Sequence, residues 1–193
     1  MKRLAYLLVC AAMLAVSLPT LASGGQTMRG AGTTNKSFFD DCEALVAVPL
    51  IYRLCLAAKK AATPRGTVVA TGTIDASSPT GSTAQLPFPA QYRIVISGTW
   101  TNTGDNWLDA EYASTPTGHQ DGWDGLGADF GDTQVDGAFV DWGTFDAGHS
   151  YSRTGSFARS VNLSVFVGMG GTKMPAWYAD NSGSLAYSIT YVG

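Results

Sequence analysis

Histidine is scarce, with only His119 and His149 in 193 residues, and neither an H-E-x-x-H nor a G-x-S-x-G run occurs. Those gaps remove the zinc-protease and serine-hydrolase signatures, and no reaction centre is expected. His119, after Pro116-Thr117-Gly118, and His149, ahead of Ser150-Tyr151, read as surface or hydrogen-bonded structural residues. Lys and Arg are missing from the whole stretch between Arg93 and Arg153, and the formal net charge is −3, so a basic nucleic-acid surface is excluded. The twelve-residue calcium loop of helix–loop–helix proteins is also missing, since no D-x-[DN]-x-[DN]-G register with its distal Glu occurs. Cysteine is limited to Cys10, Cys42 and Cys55. No apolar run reaches the roughly 20 residues of a membrane-spanning helix.

What the N-terminus does have is Lys2 and Arg3, an apolar run from Leu4 to Leu18, and small residues through Leu21-Ala22-Ser23-Gly24. This order matches a cleavable signal peptide over residues 1–23, which would take Cys10 with it. Cleavage leaves ten Lys and Arg against fifteen Asp and Glu, a formal charge of −5. The expected destination is outside the cytoplasm: secreted, periplasmic or on the cell surface. Residues 24–36 are rich in Gly and Thr without apolar periodicity and read as a flexible leader.

A helical appendage is expected over residues 37–62. Ser37 with Asp40 resembles a capping box, Asp40, Asp41 and Glu43 carry the charge favoured at a helix start, and Lys59-Lys60 that favoured at its end. Pro49 lacks the amide hydrogen a helix interior uses, so the segment must kink or split. In a straight helix Cys42 and Cys55 would lie roughly 20 Å apart along the axis, whereas a disulfide needs Cα atoms about 4.4–6.8 Å apart. Either the chain folds back near Pro49 as a hairpin stapled by Cys42–Cys55, or the thiols stay apart; a cysteine pair in an exported chain usually bridges, so the Cys42–Cys55 disulfide is expected. The appendage is expected to pack against the domain that follows.

From residue 63 to 193 the pattern changes to period two. Thr67 to Ile74, Tyr92 to Trp100, Trp107 to Tyr112, Gln134 to Val140, Gly148 to Ser152, Val161 to Val167 and Leu185 to Tyr191 read as strands. No helix of ten residues fits between them, which excludes parallel β-α-β architecture. The fold class predicted is all-β, an antiparallel β-sandwich with a short N-terminal helical appendage.

Ten acidic residues crowd the stretch without Lys or Arg: Asp105, Asp109, Glu111, Asp121, Asp124, Asp129, Asp132, Asp136, Asp141 and Asp146. Many adjoin Gly, in loops that turn carboxylates and carbonyls inward, the way calcium is held; ordinary acidic β-turns would give the same pattern. On one strand Asp109 and Glu111 would share a face, which suits a cation better than opposed acids across a cleft. Five tryptophans stand out. Trp100 reads as core, while Trp123 and Trp177, in polar or Pro-containing loops, are candidates for stacking on a sugar.

The terminal Tyr178-Ala179-Asp180-Asn181-Ser182-Gly183-Ser184-Leu185 resembles the Y-x-N-N-S-G-S-F segment of the small calcium-dependent bacterial galactose-binding lectins and related exported β-sandwich proteins. Gly98-Thr99-Trp100, Asp109-Ala110-Glu111-Tyr112, Val135-Asp136-Gly137, Trp142-Gly143 and His149-Ser150-Tyr151 extend the resemblance over about residues 66–193. It implies calcium at Asp180 and Asn181, with Asn102 or Thr103 near the ion. An upstream aspartate of the lectins has no counterpart, because Lys173 occupies that region. Asp109 and Glu111 are then the substitute metal ligands, and Trp177, Tyr178 and Trp123 the carbohydrate-binding surface. The expected function is a non-catalytic calcium- and glycan-binding module with a glycan or cell-surface polymer as partner. The alternative is a structural or adhesive surface protein whose loops calcium stiffens.

Overall fold

The computed structural model describes residues 38–102, 106–114, 123–125 and 132–193, without the side chains of 38–41 and 123–125. The expected signal peptide, leader and Ser37–Asp40 cap, and with them Trp123's ring, His119 and Asp105, Asp121 and Asp129, lie outside the described residues. Phe38–Gly193 forms one compact unit.

The chain splits where Pro49 requires. A 3-10 helix covers Phe38–Leu45, and α1 covers Pro49–Ala62 with the proline in the first turn, where its missing N–H costs nothing. Lys59 and Lys60 occupy the last turn. The fold-back brings the Cα atoms of Cys42 and Cys55 to 5.8 Å and the disulfide is formed. Arg159, in the β-domain, holds the hairpin: it pairs with Glu43, donates to Tyr52 Oη at 2.6 Å, and lies 5.7 Å from the Tyr52 ring centroid. Leu56 packs on the core. Among the described residues no helix is long and apolar enough to cross a membrane.

The strands are β1 (Val68–Asp75), β2 (Ser82–Gln85), β3 (Ala90–Ser97), β4 (Trp100–Asn102), β5 (Asn106–Leu108), β6 (Tyr112–Ser114), β7 (Trp123–Gly125), β8 (Thr133–Val135), β9 (Ala138–Phe139), β10 (Ser150–Phe157), β11 (Ser160–Val165), β12 (Gly168–Met169), β13 (Thr172–Lys173) and β14 (Ser182–Tyr191). The larger sheet runs β10-β3-β14-β4-β5-β6-β7, with β1 on the other edge of β14; the smaller runs β2-β11-β8-β9. All pairings are antiparallel. Inward residues of the two sheets, including Ile74, Ile94, Ile96 and Ile189 from one and Ala84, Val161, Leu163 and Val165 from the other, form a single core. This is the antiparallel β-sandwich with helical appendage that the period-two pattern predicts.

Three strand expectations change. Tyr92 to Trp100 is two strands with a corner at Gly98, whose φ of 103° only glycine adopts readily. Gln134 to Val140 is a hairpin, because Asp136 and Gly137 both take positive φ, 52° and 77°, as a two-residue primed turn requires. Trp107 to Tyr112 reverses direction at Asp109, so Asp109 and Glu111 do not share a strand face. Asp109 Oδ1 accepts the N–H groups of Glu111 at 2.8 Å and Tyr112 at 2.7 Å, and these side-chain bonds close the turn beside the backbone bond from Asp109 N to Tyr112 O at 2.9 Å.

Candidate functional site

Asp109 is the centre of a buried polar network. Its side chain is fully buried. Oδ1 closes the β5–β6 turn, while Oδ2 accepts from Tyr151 Oη at 2.7 Å and lies 2.8 Å from His149 Nδ1. Both carboxyl oxygens act as acceptors, so Nδ1 of His149 carries the hydrogen. The Asp109 carbonyl accepts from Trp100 Nε1 at 3.3 Å. One residue on, Glu111 Oε2 accepts from Trp142 N at 3.0 Å, and Trp142 Nε1 donates to Thr133 O at 3.2 Å. Tyr112 donates to Gly143 O at 2.8 Å and its ring stacks on Tyr151 at 6.1 Å. Trp100, Asp109–Tyr112, Trp142-Gly143 and His149–Tyr151 are therefore one interlocked structure that ties the β5–β6 turn to β4 and to the start of β10. His149 sits at φ 49°, a conformation held by the surrounding contacts.

Electrostatics around this network are one-sided. Burial pushes the Asp132 carboxyl up to about 8, with Glu111 and Asp141 adding repulsion against the lowering bond from Thr133 N. Burial likewise raises Glu111, whose neighbours Asp141 and Asp109 add to the effect against the bond from Trp142 N. Tyr151 is held well above the usual phenol range, first by burial and then by Asp109.

The C-terminal motif lies elsewhere. A short 3-10 helix, Pro175–Tyr178, leads into a turn at Asp180-Asn181 before β14. Asn181 is buried; its N–H reaches Tyr178 O at 3.3 Å and its Nδ2 donates to Ala76 O at 2.9 Å, clamping the turn after β1. The amide orientation is thereby set, and Asn181 Oδ1 is buried with no hydrogen-bond partner among the described residues. Asp180 is exposed beside it. Ser182 pairs with Thr101 across β14–β4, so the next row sets Asn181 level with Asn102, itself buried. Thr103 lies outside the described residues.

Register separates the four expected metal ligands. Asn181 is level with the Asn102–Asn106 pair, whereas Asp109 follows Leu108 at the other end of β5, three rows or roughly 10 Å along the strands. Asp109 and Glu111 thus do not join Asp180 and Asn181. Among the described residues no three His, Cys, Asp or Glu side chains are placed to hold a metal ion. The aromatic surface also changes. Trp177 is 40% exposed, but Tyr178 is buried, its hydroxyl donating to Val165 O and accepting from Val167 N, both at 3.0 Å. Tyr178 is an anchor and not a stacking surface, because its hydroxyl reaches backbone groups only with the ring inside. Lys173, whose Nζ donates to Pro79 O and to Ser164 Oγ at 3.1 Å each, is committed to the β1–β2 connection.

Sequence reasoning missed the joining of His149 and Tyr151 to Asp109, forty residues away, and the burial of Asp132. The available signal was the placement of His149-Ser150-Tyr151 at a strand start. No protein-family model matches the chain, and no curated protein matches it.

Proposed function

We propose that this β-sandwich is an exported, non-catalytic module that takes a calcium ion at the Asp180-Asn181 turn and binds a glycan beside it. The observation that carries the reading is Asn181 Oδ1. A buried carbonyl-type oxygen left without a donor costs about 1–3 kcal/mol, and calcium is satisfied by amide and backbone oxygens as well as by carboxylates. Asp180 adjoins it and supplies a charged oxygen. Exposed Trp177, three residues before Asp180, supplies a flat apolar face for a sugar ring. Export is supported by the basic-then-apolar N-terminal sequence and by a disulfide, which persists in oxidising compartments.

Calcium titrated into chelator-treated protein is the direct test. Binding to the folded chain stabilises it by linkage, by about 2.7 kcal/mol at a hundredfold excess over Kd, and so raises the melting temperature. Asn181→Ala and Asp180→Ala weaken the response. Neither heat nor a melting shift at millimolar calcium means that the ion reading is wrong. A glycan array run with and without calcium, repeated on Trp177→Ala, tests the sugar. A calcium response with no sugar bound on any panel leaves the structural or adhesive role, in which the ion stiffens loops.

A further inference from the structure

The helix α1 presents an apolar stripe outward as well as the apolar side it packs inward. Cys55 is buried and Tyr52, Leu56 and Lys59 are half-buried toward the domain, whereas Leu50, Leu54, Ala57 and Ala61 are exposed. At 100° per residue these four fall within about 60° of one another, a single stripe along the helix. Leu50 is 70% exposed and Leu54 43%, and Val46 and Val48, at 54% and 46%, extend the apolar surface past the helix start. An ordinary surface helix keeps its outward face polar. Arg53 and Lys60 line one edge of the stripe. Residues 44–74 contain Arg53, Lys59, Lys60 and Arg65 and no acid, in a chain whose net charge is −3. Helix α1 itself thus carries cations and no acid, the acids of the hairpin (Asp40, Asp41 and Glu43) all lying in the 3-10 helix before it, while ten of the chain's fifteen acids fall between Arg93 and Arg153.

We propose that this face of α1 docks on the surface of an anionic phospholipid bilayer, with Leu50 and Leu54 entering the acyl boundary and Arg53 and Lys60 meeting headgroup charge. Two features select this occupant. A leucine stripe edged by cations, without an acid on the same helix, complements a negative lipid surface and lies in its plane. A second copy of the chain is disfavoured by size. A stable protein interface uses about 20–30 residues a side, and the stripe with its Val46–Val48 extension offers a fraction of that. The disulfide and the grip of Arg159 keep α1 preformed, so docking does not have to order it.

The experiment uses the chain starting at Gly24, which retains the whole compact unit and removes the apolar run before Leu18. Sedimentation with phosphatidylglycerol–phosphatidylcholine vesicles is compared with pure phosphatidylcholine, in chelator so that calcium bridging contributes nothing. Binding is expected to the anionic vesicles only, to fall as salt is raised from 0.05 to 0.5 M, and to be lost in Leu50→Asp/Leu54→Asp. Arg53→Gln/Lys60→Gln is expected to weaken it about tenfold or more. Leu50, Leu54 and Arg53 are exposed and Lys60 is half-buried, and an unchanged melting temperature checks that folding is intact in both variants. Equal sedimentation of wild type and the Leu50→Asp/Leu54→Asp variant, or no binding at millimolar lipid, overturns the proposal. So does light scattering that finds a wild-type dimer and a monomeric leucine variant, which assigns the face to a second copy.

Discussion

Replacing Asp109 by alanine removes the acceptor of four donors at once, with consequences that can be worked out from the geometry. Tyr151 Oη is buried at 2.7 Å from Oδ2 and has no solvent to turn to, so its lost partner costs about 1–3 kcal/mol. The N–H groups of Glu111 and Tyr112 and the ring of His149 are partly exposed, and water recovers some of what they lose. Together the loss is about 3–5 kcal/mol, a large share of the 5–15 kcal/mol typical of a domain. For a domain of this size that corresponds to about 6–20 °C in Tm. Asp109→Asn keeps an acceptor for the turn and loses about 1–2 kcal/mol. Urea unfolding followed by circular dichroism measures both. A double-mutant cycle with Tyr151→Phe isolates the pair, where a coupling of about 1–3 kcal/mol is expected. Asp109→Ala within about 0.5 kcal/mol of wild type, or a cycle with no coupling, would refute the view that this network holds the β5–β6 turn.

Two further perturbations probe other parts of the molecule. Changing both Cys42 and Cys55 to Ser opens a loop of thirteen residues' separation, worth about 3 kcal/mol of chain entropy; limited proteolysis should then cut the appendage first while the near-ultraviolet signal of the sandwich persists, and quantitative thiol labelling of the untreated protein would contradict the bridge. Asp132 tests electrostatics through pH. Its folded value of about 8 lies above the ordinary carboxyl value, so the folded state holds the extra proton, and this group's contribution is full at acid pH and lost as pH rises through about 8. Metal-free Tm is therefore expected to fall from pH 5 to pH 9, less steeply in Asp132→Asn; an identical slope in the variant would show that another group is responsible.

Local grammar in this chain was determined by the sequence itself. Period-two alternation in Val161 to Val167 and Leu185 to Tyr191, the interruption at Pro49, and the cationic end at Lys59-Lys60 each act within a few residues, through backbone sterics or side-chain direction. The stapled hairpin was also legible, since Pro49 allows the one geometry in which Cys42 and Cys55 meet. Asp136-Gly137 carried a turn signal too, although the run around it read as one strand. Tertiary structure decided the rest. Whether Asp109 continues a strand or ends it depends on Tyr151 and His149, about forty residues on, and on competition between a side-chain oxygen and the ladder. Tyr178 could not be distinguished from an exposed stacking ring until Val165 and Val167 supplied partners for its hydroxyl. The separation of Asp109 from Asn181 follows from the β14–β4–β5 register, set by the pairing of Ser182 with Thr101, 81 residues apart in sequence, and of Trp100 with Leu108. The outward apolar face of α1 depends on which side the disulfide and Arg159 turn inward. Short-range patterns record what each segment prefers, whereas burial, charge pairing and register are properties of segments meeting, and only the folded chain brings those segments together.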